Sequence, residues 1–232
     1  MKCVILAAGE GIRMRPLTLE KPKALLRVAG KTLLEHIINA LPKEIDELIL
    51  VIGYKGEQIK SFLGEKFNGF KVRYVWQKEK TGTGRALQIC QPFLGRDKFL
   101  MFYGDDLYDS KGLENLLKYD LALAVNRVAD PSRFGVVLTD QRNKILEIEE
   151  KPENPKSNLI STGAMMLDAR IFNYPPVKHS SGEYFLTTMI DGLVKEHDVF
   201  AVSVPVWIPI GFPEDLKKAE DELNILFTKR NF

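Results

Sequence analysis

MKCVILAAGEGIRMRPLTLEKPKALL, residues 1–26, sets a short apolar run against two glycines and three cations, Arg13, Arg15 and Lys23. The run KCVILAA (2–8) has the length and the β-branched content of a central parallel strand. Gly9 and Gly11 follow at once. A turn needs one glycine and no arginine, whereas a phosphate site needs both: glycines let backbone N–H groups approach an anion, and cations neutralise it. The dinucleotide fingerprint G-x-G-x-x-G is a poor match, because its third glycine would be Met14 and Pro16 interrupts any early helix. VAGKT (28–32) imitates the tail of a Walker A loop, but the leading glycine of that motif would fall at Leu25. It reads instead as a Gly-Lys turn ahead of a helix capped near Thr32. The remaining reading is a triphosphate cradle in which Arg13 forks two phosphate oxygens and Lys23 supplies a compact charge. For an isolated loop, solvated surface cations would be an equal alternative.

Working outward, the first half alternates strand-like and helix-like segments. Helical periodicity marks 32–41, with Leu33, Leu34, Ile37, Ile38 and Leu41 on one face, then 56–67 and 84–93. Strand-like runs fill 47–53, 72–77 and 98–106. Such alternation implies βαβ crossovers and a parallel sheet, whose ligands bind beyond the carboxyl ends of the strands. Ala8-Gly9, Gln77 with Thr81–Gly84, and Gly104–Asp106 all end strands, so they are expected along one edge of one crevice. After residue 119 the pattern becomes short strand-like runs, at 121–127, 134–140, 144–152, 160–168 and 199–207. These are expected to extend the same sheet in a mixed, partly antiparallel way. Helices are expected at 182–196 and 213–227, the latter with an apolar stripe of Leu216, Ala219, Leu223, Leu226 and Phe227. No linker, repeat or low-complexity tract interrupts the chain, so one domain over 1–232 is expected: an α/β, Rossmann-like three-layer sandwich with a mainly parallel mixed sheet.

Composition narrows the function. Lys and Arg number 33 against 31 Asp and Glu, a net charge of only +2, which argues against a general nucleic-acid or anionic-lipid binder. The two cysteines, Cys3 and Cys90, are too few for a disulfide framework or a zinc knuckle, and no apolar run is long enough for a signal peptide or a membrane span. His36, His179 and His197 show no metal-ligand spacing. A reduced, cytoplasmic protein is the expectation.

LAAGEGIRMRPLT (6–18) with KPKALLRVAGKTLLEHI (21–37), and the later blocks QKEKTGTGRAL (77–87), YGDD (103–106), FGVV (134–137), EEKP (149–152), STG (161–163) and W-x-x-IG-x-PEDL (207–216), occur in an order that resembles the sugar-1-phosphate nucleotidyltransferases. The resemblance covers essentially the whole chain, and its first block is the most specific part. It implies that an oxygen of a sugar phosphate attacks the α-phosphorus of a nucleoside triphosphate and that pyrophosphate leaves. Residues 1–119 would then form mainly the nucleotide-binding half and 120–232 mainly the sugar-phosphate half.

The resemblance further implies that Leu6, Ala8, Gly9 and Gly11 hold the nucleotide through backbone groups. Arg13 would grip the β- and γ-phosphates, and Lys23 would bridge the α-phosphate and the sugar phosphate. Gln77, Gly82 and Thr83 would read the base, with UTP or dTTP favoured. Asp105 would be the Mg²⁺ ligand; Asp106 reads as a helix-capping or solvated neighbour, with a share in the metal as the alternative. Gly135, Glu150, Lys151 and Thr162 would line the sugar-phosphate site, while Ser161 stands where some acetylhexosamine-using members have asparagine. Many members read W-x-D-x-G with a second metal ligand at the aspartate, which here is Pro209. Either Asp105 serves with phosphates and water, or a nearby carboxylate such as Asp215 substitutes, or activity is lost. Two further readings therefore stand beside the main one: cytidylyl or guanylyl transfer to another phosphorylated acceptor (inositol phosphate or phosphocholine), and a non-catalytic, nucleotide-sugar-sensing regulatory subunit. The chain stops before the C-terminal β-helix of longer members, so acetyltransferase activity and helix-mediated trimers are not expected. Other homo-oligomers remain open.

Overall fold

The computed structural model describes residues 1–230, with side chains as far as Leu226. The founding strand is β1 (Lys2–Ala7). Its odd residues, Cys3, Ile5 and Ala7, enter the core on one face and Val4 enters the core on the other, the period-two alternation of a strand buried on both sides. After it the chain makes short 3-10 turns at Ile12–Met14, Leu17–Leu19 and Lys23–Leu25. Met14 is fully buried, which pins the exit of the glycine loop to the core.

The Walker-like VAGKT is a tight hairpin of β2 (Arg27–Val28) and β3 (Lys31–Thr32), turning through Ala29 and Gly30 at positive φ. Thr32 then caps α1 (Leu33–Ala40) in a reciprocal capping box with Glu35. The crossover continues through β4 (Glu47–Ile52), α2 (Gly56–Leu63), the short β5 (Lys66–Phe67) and β6 (Phe70–Trp76). The helix expected to reach residue 67 stops at Leu63, because Gly64 takes φ +64° and reverses the chain. The helix expected over 84–93 is two pieces, α3 (Thr83–Gln88) and α4 (Gln91–Leu94), with Pro92 in the first turn of the second.

β7 (Phe99–Tyr103), β8 (Asp106–Tyr108) and α5 (Ser110–Leu116) follow, the last a helix that sequence periodicity did not mark. The second half comprises β9 (Ala122–Arg127), β10 (Gly135–Thr139), β11 (Ile145–Glu150), β12 (Leu159–Leu167), α6 (Leu186–Glu196), β13 (Phe200–Ser203), β14 (Trp207–Pro209) and α7 (Pro213–Arg230). The helix expected from 182 begins only at Leu186, because Tyr184 is bound through its backbone to Thr81 and Gly84.

Among the described residues, ten strands form one sheet, whose main path runs β11-β10-β12-β7-β1-β4-β6-β5, with β9 and β13 branching from β12. β1 is parallel to both β4 and β7, and β4 is parallel to β6, so their carboxyl ends share one edge. The chain runs outward through β4 and β6 and then returns past β1 to β7, which makes the β1/β7 edge a topological switch point. β12 pairs antiparallel with β7, β9 and β10, so the second half does extend the same sheet in mixed fashion. Residues of α1, α2, α5 and α7 share the core on one face, and those of α3, α4 and α6 share the core on the other, giving three layers. On α7, Ala219 is buried and Leu216 and Leu223 pack against the core; Phe227 lies outside the described side chains.

Removing the cap should weaken α1 without touching the crevice. Thr32→Ala is expected to lower unfolding stability by about 1 kcal/mol, read as a lower urea midpoint at unchanged slope; an unchanged midpoint would deny the capping box any weight.

Candidate functional site

The glycine loop emerges from β1 at the switch point. Gly9, Glu10 and Gly11 donate their backbone N–H groups to no acceptor among the described residues. Three consecutive free N–H groups at the end of a parallel strand form a concavity suited to an anion. Gly11 lies in the left-handed region, φ 61° and ψ 42°, and a Cβ there would sit 3.1 Å from both Lys23 Cβ and Thr18 Cγ2. Its carbonyl accepts from Met14 N–H and from Thr18 Oγ1 at 2.9 Å. Glycine at 11 therefore both bends the loop and admits the stem of Lys23. The carbonyls of Leu6 and Ala8 are already engaged, by Gly104 N–H and Tyr54 N–H, so these two residues hold the floor of the loop.

Lys23 reaches across that floor. Its Nζ donates to Asp105 Oδ2 at 2.5 Å, with the lysine side chain only 12% exposed. Asp105 follows the end of β7, so the contact joins the phosphate loop to the neighbouring strand end. Glu10 is ion-paired to Arg15 and to Lys80, tying the loop to the segment after β6.

Asp106 is the correction to the sequence reading. It caps no helix and is not a solvated bystander: its carboxylate is partly buried and accepts from Trp207 Nε1 at 2.9 Å and from the backbone of Ile210. Burial, and then the neighbouring Asp105 charge, hold its carboxyl well above the usual carboxylate range, against the opposing pull of Lys23 and of those donors. In the β8–β14 ladder Asp106 stands directly opposite Pro209. Asp215, named as a substitute ligand, accepts on its Oδ2 from Gly211 N and Phe212 N and so ties the loop that opens α7.

On the base side, Gln77 lies just beyond β6, and its Nε2 donates to Gly82 O at 3.1 Å. This binds Gln77 to the TGTG segment and leaves its amide oxygen as the free polar atom. Gly82, at φ +97°, lies against the backbone of Tyr184, where a Cβ would come within 2.6 Å of the Tyr184 carbonyl oxygen. Thr83 Oγ1 accepts from Leu186 N at 3.0 Å, fixing the start of α3 against the start of α6.

Across the crevice, Gly135 and Glu150 pair in the β10–β11 ladder. Glu150 Oε2 accepts from Thr187 Oγ1 at 2.8 Å, and its Oε1 lies 3.3 Å from Lys151 Nζ. A Cβ on Gly135 would approach Thr187 Cγ2 to 2.9 Å, so glycine there admits the first turn of α6. The Lys151 ammonium also stands 4.4 Å from the Phe185 ring centroid. Thr162 lies on the bulged strand β12: its hydroxyl donates to Ala124 O at 3.1 Å inside the protein, and its carbonyl accepts from Tyr108 OH, so it holds that strand in place. Ser161 Oγ is buried with no partner among the described residues.

Three residues enter the site that sequence reasoning passed over as ligands or supports. Tyr103 lies beneath Gly163, hydrogen-bonds Thr83 and feels the charge of Glu150, with burial as the main force raising its phenol pKa. Thr187 orients Glu150, and Trp207 orients Asp106 while meeting Phe134 edge-on at 5.7 Å. Only the period-two alternation of KFLMFY, which turns Tyr103 to the same face as Met101, carried a signal for any of them.

The family model described as "Nucleotidyl transferase" matches residues 2–224. The chain belongs to the nucleotidyl transferase family. A protein of Methanocaldococcus jannaschii named "Bifunctional protein GlmU" is 39% identical over 226 residues, covering 96% of this chain and 54% of that protein. The chain thus spans about half the length of the relatives bearing that name. A "UTP--glucose-1-phosphate uridylyltransferase AglF" of Haloferax volcanii is 34% identical and covers 96% of both chains. Among solved structures, a putative glucose-1-phosphate thymidylyltransferase of Bacillus anthracis superposes with TM-score 0.84 at 30% identity, covering 95% of this chain and 94% of that one. A UDP-glucose pyrophosphorylase, at TM-score 0.85 and 23% identity, shares the fold. Among the described residues no helix is long and apolar enough to cross a membrane, and no group of three or more His, Cys, Asp or Glu side chains is disposed around a metal position.

The environment of Asp106 has a pH signature. Its native pKa lies above the unfolded value, so the ionised form costs stability as pH rises through the range between the two. Asp106→Asn, which keeps an oxygen for Trp207, is expected to raise the unfolding free energy of metal-free protein by on the order of 1 kcal/mol at pH 8. The advantage should fade toward pH 4, where Asp106 is already protonated in the native state. Denaturant titrations at the two pH values measure this, and a pH-independent difference would contradict it.

Proposed function

We propose that this protein catalyses Mg²⁺-dependent transfer of a nucleotidyl group from a nucleoside triphosphate, UTP or dTTP, to a sugar 1-phosphate, releasing pyrophosphate. The observation that carries the reading is the Lys23–Asp105 contact at the mouth of three unpaired backbone N–H groups. A triphosphate on those N–H groups would present its α-phosphate to Lys23, and Glu150, held by Thr187, would receive a polyhydroxylated ring.

Lys23 would stay between the α-phosphate and the incoming sugar phosphate, offsetting charge that grows at the transition state. Arg13 would hold the β- and γ-phosphates, and Lys151 would pair with the sugar phosphate. Glu150, oriented by Thr187, would accept hydrogen bonds from sugar hydroxyls, which fixes the ring and aims its phosphate oxygen at phosphorus in line with the departing group. The hard oxygens of Asp105, with the Asp106 carboxyl beside it and a single ammonium, fit a small divalent cation that takes one or two carboxylates and completes its shell with phosphates and water. Mg²⁺ so held would neutralise phosphate charge during the transfer. The free amide oxygen of Gln77 suits the imide N–H of uracil or thymine. The uridylyl and thymidylyl activities in the names of the H. volcanii and B. anthracis proteins support the same choice.

A pyrophosphate-release screen of nucleoside triphosphates against sugar 1-phosphates, inositol phosphate and phosphocholine tests the reading. Turnover is expected with UTP or dTTP and a hexose 1-phosphate, and is expected to vanish with EDTA. Binding of a nucleotide sugar without turnover for any pair would instead identify a sensor. Lys23→Ala should lower kcat by about 10²–10³-fold while the circular-dichroism spectrum is retained; a rate near that of the wild type would remove Lys23 from the reaction.

A further inference from the structure

Phe212 lies between β14 and α7, and one arginine from each half of the chain stands over its ring. Arg13 Cζ is 5.2 Å from the ring centroid and Arg133 Cζ is 4.9 Å from it. Arg13 belongs to the phosphate loop. Arg133 belongs to the turn between β9 and β10, next to Phe134, whose edge-on contact with Trp207 anchors that turn beside Asp106. Among the described residues the arginines with a carboxylate partner are Arg15, Arg73 and Arg170; Arg13 and Arg133 have none. Asp130, the acidic group that feels Arg133, directs one oxygen to Ser132 N–H and Oγ. Asp215 fixes the Phe212 backbone by accepting from its N–H. One ring thus carries two exposed, like-charged guanidiniums, neither of them ion-paired to a carboxylate among the described residues. Like charges gathered without a counter-charge repel each other, and an arginine–aromatic contact at an exposed site returns only about 0.5–1 kcal/mol. Such a pair is suited to an anion with several oxygens.

We propose that Arg133 is a second pyrophosphate-binding residue, acting with Arg13 as a pair positioned by Phe212. The inference rests on the reaction proposed above. As the sugar-phosphate oxygen forms its bond to the α-phosphorus, the bond from that phosphorus to the oxygen bridging the β-phosphate breaks. The electron pair stays on that oxygen, and pyrophosphate leaves carrying the added charge. Guanidiniums can fork two phosphate oxygens each, so two of them can hold both phosphates of the leaving group. Because Arg133 comes from the half that carries Glu150, the same anion would draw the sugar half toward the phosphate loop before transfer and loosen that contact on its departure.

Calorimetric titration of inorganic pyrophosphate with Mg²⁺ into the full chain tests this without turnover. Arg133→Ala is expected to weaken pyrophosphate binding about tenfold. Arg133→Lys, which keeps the charge but loses the fork, should fall between that variant and the wild type. Phe212→Leu should weaken binding in the same direction, and adding Arg133→Ala to it should cost less than tenfold further, since the ring acts through the arginine. Arg142→Ala, in the exposed turn between β10 and β11, should bind as the wild type does. Unchanged affinity in Arg133→Ala overturns the proposal, and so does an equal loss in Arg142→Ala, which would mean general charge attraction. If no triphosphate and sugar 1-phosphate pair turns over yet Arg133→Ala still loses pyrophosphate affinity, the paired-arginine site stands and the proposed transfer fails.

Discussion

The contact between Lys23 and Asp105 depends on almost everything around it. The two residues are 82 positions apart, and they meet because β1 and β7 run parallel in adjacent register, with Leu6 opposite Tyr103. That register places both strand exits at one edge and lets Gly104 N–H close onto the Leu6 carbonyl. The lysine stem then passes over Gly11, where any side chain would stand in its path. A partly buried ion pair is stable only with close geometry and further partners, so the loop, the strand end and the glycine constrain one another.

A second set of constraints couples the two halves of the chain. Gly82 lies against the backbone of Tyr184, Thr83 receives Leu186 N–H, and Thr187, one residue on, orients Glu150. The TGTG loop, the first turn of α6 and the Glu150 carboxylate are thus tied together. Tyr103 lies beneath, with its ring under Gly163 and its hydroxyl at Thr83.

The acidic corner shows how a substitution is read differently once neighbours are known. In the sequence, proline at 209 removes a carboxylate expected there, and Asp106 has no evident duty. In the fold the two positions face each other across a short ladder, and Trp207, two residues before the proline, donates to Asp106. A carboxyl group thus stands at that corner on the opposite strand, held by the indole. Asp215, equally near in sequence, is committed to closing the loop ahead of α7.

Sequence alone determined the alternation of strands and helices, the bend of the glycine loop beside its cations and the gathering of three strand ends at one edge. Those features rest on local periodicity, on backbone freedom at glycine and on the charges that flank it, all of which are written within a few residues. It also singled out Lys23 and Asp105, which the fold brings into contact. Tertiary structure alone decided that Thr162 turns its hydroxyl inward, that Asp106 is held by an indole, that Thr187 steers Glu150 and that one ring carries two arginines. Each of these depends on which side chain another segment places within hydrogen-bond or ring-contact distance, and the separations involved, 101 residues for Asp106 and Trp207, leave no local trace.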